Sequence, residues 1–231
     1  DLTRRSALRT VRYDYLVTTS SDPRGIDVAL LYKPTSYRPF AHQALRLPTE
    51  MVPAGRHVRD VLCVSGELVT GDTLDILVCH LPSRLNGRQS TRLRYSVTSL
   101  MRSAIDSLCA LRSVPRIVVM GDFNDTPDSY ALSPLIHDNA LRCITQELRG
   151  SYRYKGKWEQ IDHLYLSPAL MDTTLSLHLA PQGAWVVDDE LLTEPEPLYG
   201  GRRPKRTYNG MRYLGGTSDH LPVCCDLQFM W

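Results

Sequence analysis

The chain has 231 residues, of which 42% are hydrophobic and 23% are charged, and its formal net charge is +2. This composition is typical of a globular protein, and we expect residues 1–231 to form one domain. The charge is too small to indicate or to exclude a nucleic-acid partner. No apolar run approaches the roughly 18 residues of a membrane span, and the six cysteines form no C-x-x-C pair, which argues against a zinc site. The chain opens on Asp1 rather than an initiator methionine, so its amino-terminal sequence indicates neither export nor a compartment.

Apolar, β-prone runs predict most of the strands. These runs lie at residues 26–32, 61–69, 74–81, 117–120, 161–166 and 222–229. From residue 90 to 111 the apolar positions recur every three or four residues, which predicts an amphipathic helix. Because this helix lies between the runs at 74–81 and 117–120, we expect those two strands to be parallel neighbours. Residues 194–210, rich in Pro, Gly and Arg, predict a long surface loop.

The most informative stretch follows the predicted strand at 117–120. Asp122 and Asn124 stand two positions apart there, and side chains at that spacing project to the same side of a strand. A carboxylate beside a carboxamide suits the binding of a water molecule, because the first accepts its proton and the second holds its orientation. Taken alone, the stretch is equally well explained as an Asx-rich turn that ends a buried strand.

Polar side chains also stand at the ends of three other predicted strands. His80 ends one strand and Arg84 follows it by four residues, so an imidazole and a guanidinium are available to one phosphate group. Asp162 opens another strand. Asp219 and His220 precede the last strand, after two glycines that allow a tight turn. An acid and an imidazole there suit metal binding or the stabilisation of charge on a phosphoryl group.

Each of these residues also has a structural explanation when taken alone, as a satisfied histidine, a strand-start cap or a polar turn. Their shared position favours a common site, because ligand sites in α/β sheets form where loops leave strand ends. The residues concerned are His80, Asp122, Asn124, Asp162, Asp219 and His220.

In chain order the motifs are His80-x-Pro-Ser-Arg84, Gly121-Asp-Phe-Asn124, Ile161-Asp162-His163 and Ser218-Asp219-His220-x-Pro222. This ordered set resembles the endonuclease/exonuclease/phosphatase superfamily. Two further segments resemble a bacterial subgroup of it, Ser151-Tyr152-Arg153-Tyr154-Lys155-Gly156-Lys157-Trp158 and Arg206-Thr-Tyr-Asn-Gly ahead of Tyr213-Leu-Gly-Gly. The superfamily includes type I deoxyribonucleases, exonuclease III-like apurinic endonucleases, sphingomyelinases and inositol polyphosphate 5-phosphatases. The resemblance covers roughly residues 26–229. It implies an α/β fold, a four-layer α/β/β/α sandwich of two packed mixed β-sheets.

The resemblance also implies a reaction, the hydrolysis of a phosphoester that depends on Mg²⁺ or Mn²⁺. Water would attack in line, with Asp122 activating it and Asn124 orienting it. A nucleophilic Ser or Cys hydrolase is a poorer explanation, because the sequence has no G-x-S-x-G motif.

The remaining roles follow from the same resemblance. His220 would face the scissile phosphate and Asp162 would hold it. His80 would contact a phosphate oxygen, and Asp219 would lie beside the metal. Arg84 is predicted to contact the substrate from its charge and position alone.

One departure from the superfamily pattern concerns the metal. Members carry an early strand with an Asn and a second strand ending in the Glu that binds the metal, whereas the acids ahead of residue 26 are Asp1, Asp14 and Asp22. We therefore expect the chain to be the carboxyl-terminal three quarters of the domain, with the amino-terminal strands missing. Because Mg²⁺ usually takes one or two protein carboxylates, we expect weak activity or none. The alternative function is a catalytically inert phosphate-binding module.

The sequence leaves two substrate classes open, a nucleic acid and a small phosphoester. Several basic residues suit a phosphate backbone but are equally explained as solvated surface charges. They are Arg88, Arg92, Arg94, Arg202, Arg203, Lys205 and Arg206.

Overall fold

The computed structural model describes residues 7–20, 22, 25–85 and 87–230. Within these ranges the strands are β1 (Asp14–Val17), β2 (Ala29–Tyr32), β3 (Tyr37–Leu45), β4 (Val61–Leu68), β5 (Thr73–His80), β6 (Ile117–Asp122), β7 (Arg142–Cys143), β8 (Tyr152–Tyr154), β9 (Lys157–Glu159), β10 (Asp162–Leu166), β11 (Leu177–Val186), β12 (Thr193–Pro195), β13 (Arg202–Pro204), β14 (Tyr208–Asn209), β15 (Arg212–Tyr213) and β16 (Val223–Phe229). The α-helices are α1 (Gly87–Leu111) and α2 (Ser133–Ile136). No helix in the described part of the chain has the length and apolar character to cross a membrane.

The central element is a six-stranded mixed sheet in the order β3-β4-β5-β6-β10-β7. β5 and β6 are parallel, and every other neighbouring pair in this sheet is antiparallel. The helix α1 makes the crossover between β5 and β6, so the predicted strand–helix–strand unit is confirmed. Both faces of β5 are buried, which explains why its sequence is an apolar run rather than an alternating one.

Two hydrophobic cores lie on the two faces of this sheet. On one face, Val97, Met101 and Ile105 of α1 pack into a cluster that contains Leu77 and Val119 of the sheet. Their spacing of four residues places them on one side of the helix. The predicted amphipathic helix is thereby confirmed.

The opposite face is covered by two antiparallel strand pairs, β1-β2 and β11-β16. Val64, Ile76 and Val118 of the central sheet share a buried cluster with Leu30 of β2 and Leu177 of β11. Helices, central sheet and a second β layer therefore stack in that order. The predicted α/β sandwich with two packed β layers is confirmed.

The expectation of a long surface loop at 194–210 is wrong. That segment contributes to two short hairpins, β12-β13 and β14-β15. These strands have two or three residues each, too few for an alternating apolar pattern to be visible in the sequence. Polar contacts stabilise the first hairpin instead, including an ion pair between Arg203 Nε and Glu194 Oε1 at 2.9 Å.

Candidate active site

Three neighbouring strands bring three of the predicted residues into one line across the sheet. His80, the last residue of β5, is level with Asp122, the last residue of β6. Asp162, the first residue of the antiparallel strand β10, is level with Asp122 on its other side. Parallel strands end at the same edge of a sheet, and β10 starts at that edge. The strand order therefore places an imidazole and two carboxylates side by side.

Gly121 is required by the close approach of β5 and β6. Its φ is +145°, and a Cβ atom there would overlap the backbone carbonyl of Cys79 on β5. Only glycine can occupy this position without strain. Because Asp122 follows directly, its placement depends on Gly121.

Asn124 occupies the left-handed region, with φ of +52°, a conformation that asparagine tolerates better than most residues. Its backbone N–H donates to Asp122 Oδ1 at 2.8 Å, and its side-chain Nδ2 donates to Leu81 O at 3.0 Å and Asp122 Oδ2 at 3.2 Å. The Asx turn considered from the sequence is therefore present, and the same turn holds the carboxamide against the carboxylate.

His220 reaches this edge from a distant part of the chain. Gly216 lets its segment pass close to the backbone carbonyls of Lys205 and Arg206, where a Cβ would collide. The His220 ring then lies against the Tyr152 ring, with centroids 4.8 Å apart, and the two residues form a β-bridge.

Asp162 orients the His220 ring. Nδ1 of His220 donates to Asp162 Oδ2 at 2.7 Å, and the hydroxyl of Ser151 donates to the same oxygen. Because Nδ1 is occupied, Nε2 is the ring nitrogen left for a substrate or solvent molecule. The Ser151 hydroxyl therefore holds the same carboxylate oxygen in place.

The ligand atoms of Asp122, Asp162 and His220 all lie within 4.8 Å of one another. These three half-buried residues line a single cleft of about 400 Å³. Nε2 of His80 lies 3.4 Å from Asp122 Oδ2. The fold therefore brings Asp122 and His220 together although they are far apart in the sequence. Their common position at strand ends predicts this proximity.

The electrostatics of the cleft favour protonation of both central residues. Burial and the nearby charge of Asp162 raise the pKa of Asp122 to about 6, against the opposing effects of His220 and the Asn124 N–H. Burial, the largest single influence on His220, lowers its pKa, but the hydrogen bond to Asp162 and the charges of Asp162, Asp122 and Asp219 together raise it. A carboxyl group and an imidazole whose pKa values are both raised suit general acid–base chemistry.

Asp219 and Arg84 lie further from the centre. Asp219 is exposed and outside the three-residue group, although its charge raises the pKa of both Asp122 and His220. Arg84 is exposed and forms an ion pair with Glu159 of β9. Its guanidinium therefore already has a carboxylate partner, and contact with a substrate stays a prediction.

Three residues have structural roles that the sequence did not predict. Ser151 and Tyr152 support Asp162 and His220, whereas the sequence of their segment indicated only a resemblance to a subgroup of the superfamily. Arg94, considered from the sequence for contact with a phosphate backbone, is 2% exposed. It donates to the Asp125 carboxylate at 2.8 and 3.0 Å and so ties α1 to the loop after β6.

The donor set fits a divalent cation. Asp122 and Asp162 supply the oxygen atoms that Mg²⁺ and Mn²⁺ prefer, and the charge of Asp162 raises the pKa of Asp122. A cation held by these residues would relieve that repulsion. Asp162 also accepts hydrogen bonds from His220 and Ser151. Asp122 is therefore the more available of the two carboxylates for a cation.

Solved structures with the same fold come from several organisms. The human Nocturnin catalytic domain with bound sulfate matches with a TM-score of 0.64 and 16% identity, over 99% of this chain and 76% of that chain. A mannosyl-6-phosphatase from Bacteroides thetaiotaomicron matches with a TM-score of 0.62 and 18% identity, over 94% and 77%. TDP2 from D. rerio, complexed with a single-strand DNA product, matches with a TM-score of 0.61 and 13% identity, over 98% and 80%. At these identities the likeness shows the fold.

A search of curated protein sequences finds no match. A family model described as the Endonuclease/Exonuclease/phosphatase family matches residues 1–228, nearly the whole chain. The motifs that carried the sequence resemblance lie within this match and line one edge of the central sheet. The chain belongs to the endonuclease/exonuclease/phosphatase family.

Proposed function

We propose that this protein is a metal-dependent phosphoesterase that hydrolyses its substrate by in-line attack of a water molecule. The observation that carries the proposal is the convergence of Asp122, Asp162 and His220, with ligand atoms within 4.8 Å of one another. The three residues come from three separate segments of the chain and line the same cleft.

Asp122 is the residue that accepts the proton of the attacking water. Without a cation in the cleft its pKa is raised to about 6, which makes it a stronger base than an exposed aspartate while it is still ionised at neutral pH. Asn124, hydrogen-bonded to Asp122 through Nδ2, holds the water in position. As the water oxygen bonds to phosphorus, the ester oxygen leaves on the opposite side.

His220 faces the scissile phosphate through Nε2, because Nδ1 is bonded to Asp162. Its raised pKa increases the fraction of imidazolium, whose Nε2–H donates to a phosphoryl oxygen and stabilises developing negative charge. His80, at 3.4 Å from Asp122, contacts another phosphate oxygen. Both imidazoles therefore act on the substrate and the carboxylate of Asp122 acts on the water.

Asp122 and Asp162 would hold Mg²⁺ or Mn²⁺, and Asp219 would lie beside the metal. When bound, the cation neutralises charge on the phosphoryl oxygens and so stabilises the transition state. Because Asp219 is exposed, we propose weak binding by this chain and correspondingly low activity.

The substrate is a nucleic acid or a small phosphorylated molecule. The mannosyl-6-phosphatase and the single-strand DNA complex of TDP2 support phosphorylated substrates of either kind on this fold. Fold likeness alone does not transfer a substrate, so the choice between the two is made by experiment.

The proposal is tested with bis(p-nitrophenyl) phosphate, p-nitrophenyl phosphate and plasmid DNA in Mn²⁺ or Mg²⁺, with EDTA as the metal-free condition. Asp122→Asn and His220→Gln should each lower kcat/KM by at least about 100-fold, within the range for a general acid or base. His137→Gln and Asp138→Asn are matched controls, since these residues form an exposed ion pair elsewhere on the surface. Variants of the cleft that keep the wild-type rate would contradict the proposal.

Salt dependence separates the substrate classes. A nuclease that contacts several phosphates should lose affinity steeply between 50 and 200 mM salt, by roughly 10³-fold or more for six contacts. A small-molecule phosphatase should lose far less. Tight phosphate binding without turnover of any substrate would indicate the inert binding module.

A further inference from the structure

A second pocket, here called the side pocket, opens beside the active site. Its volume is about 180 Å³, and its lining includes Arg153, Lys155, Glu196, Tyr199, Arg203 and Arg206. The lining residues come from the β8-β9 hairpin and from the segment between residues 196 and 214. Four of them are cationic and one is acidic, so the side pocket carries an excess of positive charge.

Two of these cations are already neutralised. Arg153 Nε lies 3.6 Å from Glu196 Oε2 in a pair with both side chains at least nine-tenths buried. Arg203 pairs with Glu194 at 2.9 Å and with Glu196 at 3.3 Å. These ion pairs form the fixed wall of the side pocket.

The other two cations have no such partner. Among the described residues, no carboxylate lies within ion-pairing distance of Lys155 or Arg206. The Lys155 ammonium lies 5.4 Å from the centre of the Tyr154 ring, and the Arg206 guanidinium lies 5.8 Å from the centre of the Tyr152 ring. Aromatic faces hold both cations in place without cancelling their charge.

Tyr152 connects the side pocket to the active site. The same ring that lies under Arg206 contacts the His220 ring, at 4.8 Å between centroids. The backbone carbonyl of Lys205 accepts hydrogen bonds from the N–H groups of Thr217 and Ser218, at 2.8 and 3.0 Å. The Tyr152 ring therefore contacts both Arg206 and His220, and the residue before Arg206 is hydrogen-bonded to the segment that precedes His220.

We propose that the side pocket binds a second phosphate group of the substrate, with Arg206 and Lys155 as the residues that hold it. This inference rests on the proposed phosphoesterase function and deepens it, because it selects substrates with two phosphate groups over those with one. A guanidinium presents several donors in a plane and an ammonium adds a point charge, a combination that suits phosphate oxygens. The exposed ring of Tyr199, at 49%, offers a surface for the sugar that joins the two phosphates or for the base attached to it.

The kinetic test uses two chromogenic substrates that differ by one phosphate group. They are the p-nitrophenyl ester of thymidine 5′-phosphate and the same molecule with an added 3′-phosphate. The wild-type protein should show a kcat/KM about 10-fold higher or more for the bisphosphate. Arg206→Gln and Lys155→Gln should each lower that ratio about 10-fold, the low end of the effect of losing one hydrogen bond to a charged group.

Two further variants test whether a lower ratio comes from loss of the phosphate contact or from general disruption of the site. Arg206→Lys keeps the charge and should restore at least part of the ratio. Arg38→Gln removes an arginine that pairs with Glu67 on the exposed surface of the edge strand β3, and it should leave the ratio unchanged. A wild-type ratio near one, or an equal fall of the ratio in Arg38→Gln and Arg206→Gln, would overturn the side-pocket inference while the phosphoesterase function stands.

A binding measurement separates failure of this inference from failure of the proposed function. Thymidine 3′,5′-bisphosphate and thymidine 5′-monophosphate are titrated calorimetrically into the Asp122→Asn protein, with and without Arg206→Gln. A preference for the bisphosphate that Arg206→Gln removes supports the side pocket even if no substrate is turned over. Equal affinities overturn it even if the protein is an active phosphoesterase.

The source of the second phosphate is resolved by competition. Oligothymidylate of four nucleotides represents a nucleic-acid strand, and fructose 1,6-bisphosphate represents a small bisphosphate. Displacement of the bound thymidine 3′,5′-bisphosphate by either one supports the inference and assigns its source. Displacement by neither overturns it.

Discussion

At the scale of single residues, the candidate site depends on how Asp162 divides its hydrogen bonds. One oxygen accepts from His220 Nδ1 at 2.7 Å and also from the Ser151 hydroxyl. His220 depends on this carboxylate both for its orientation and for its raised pKa. The Ser151 hydroxyl and the Asp162 carboxylate thus position the imidazole, in the way that outer groups orient metal-bound histidines.

We expect Asp162→Asn to lower kcat/KM by about 10- to 100-fold, the range for loss of a carboxylate that supports a histidine. Ser151→Ala should have a smaller effect, because it removes one donor and leaves the His220–Asp162 pair intact. The His220 pKa in metal-free protein, followed by NMR of the ring protons, should fall in Asp162→Asn and change little in Ser151→Ala. An unchanged His220 pKa in Asp162→Asn would show that Asp162 has no such role.

At the scale of secondary-structure elements, the parallel contact between β5 and β6 sets the position of Asp122. Gly121 meets the Cys79 carbonyl where any side chain would collide, and its φ is +145°. Two separate effects therefore oppose a substitution there, backbone strain and overlap with a neighbouring strand. The two can be separated because the chain contains glycines with positive φ and free space around them.

Gly121→Ala should destabilise the protein by at least about 2 kcal/mol, as expected for overpacking combined with a strained φ. Gly71→Ala is the matched control, because Gly71 has φ of +86° and no heavy atom within 4 Å of an added Cβ. Urea denaturation measures both. A Gly121→Ala protein no less stable than Gly71→Ala would mean that β5 and β6 are further apart than described.

Elements with a strong local pattern could be predicted, and those held by tertiary contacts could not. The buried strands β5 and β6 and the helix α1 are visible as apolar runs and as a periodic stripe, and their order alone predicts that His80 and Asp122 are neighbours. The hairpin β12-β13 has no such pattern, because polar contacts such as Arg203–Glu194 stabilise it. The role of Tyr152 could not be predicted either, because its contacts with His220 and Arg206 join distant parts of the chain.

At the scale of the whole molecule, the candidate site lowers the stability of the fold. Folding moves the Asp122 carboxyl from water into a half-buried cleft beside Asp162, which raises its pKa to about 6, above the value near 3.9 of an unfolded chain. A carboxyl whose pKa is raised by folding favours the folded state only while it is protonated. Its contribution is fully present below about pH 4 and is lost as the pH rises through about 6.

We therefore expect Asp122→Asn to be more stable than the wild type in EDTA at pH 8, by up to about 3 kcal/mol for a shift of roughly two pKa units. The difference should shrink towards zero at pH 4, where both side chains are neutral. Urea denaturation across this pH range measures the difference. Asp138→Asn, on the exposed surface, should differ from the wild type by less than about 0.5 kcal/mol.

Added Mn²⁺ should stabilise the wild type more than Asp122→Asn, since a ligand of the folded state stabilises it by mass action. If the wild type is as stable as Asp122→Asn at pH 8 in EDTA, burial and the charge of Asp162 do not raise the pKa of Asp122. The physical reason for its proposed role as a base would then be lost.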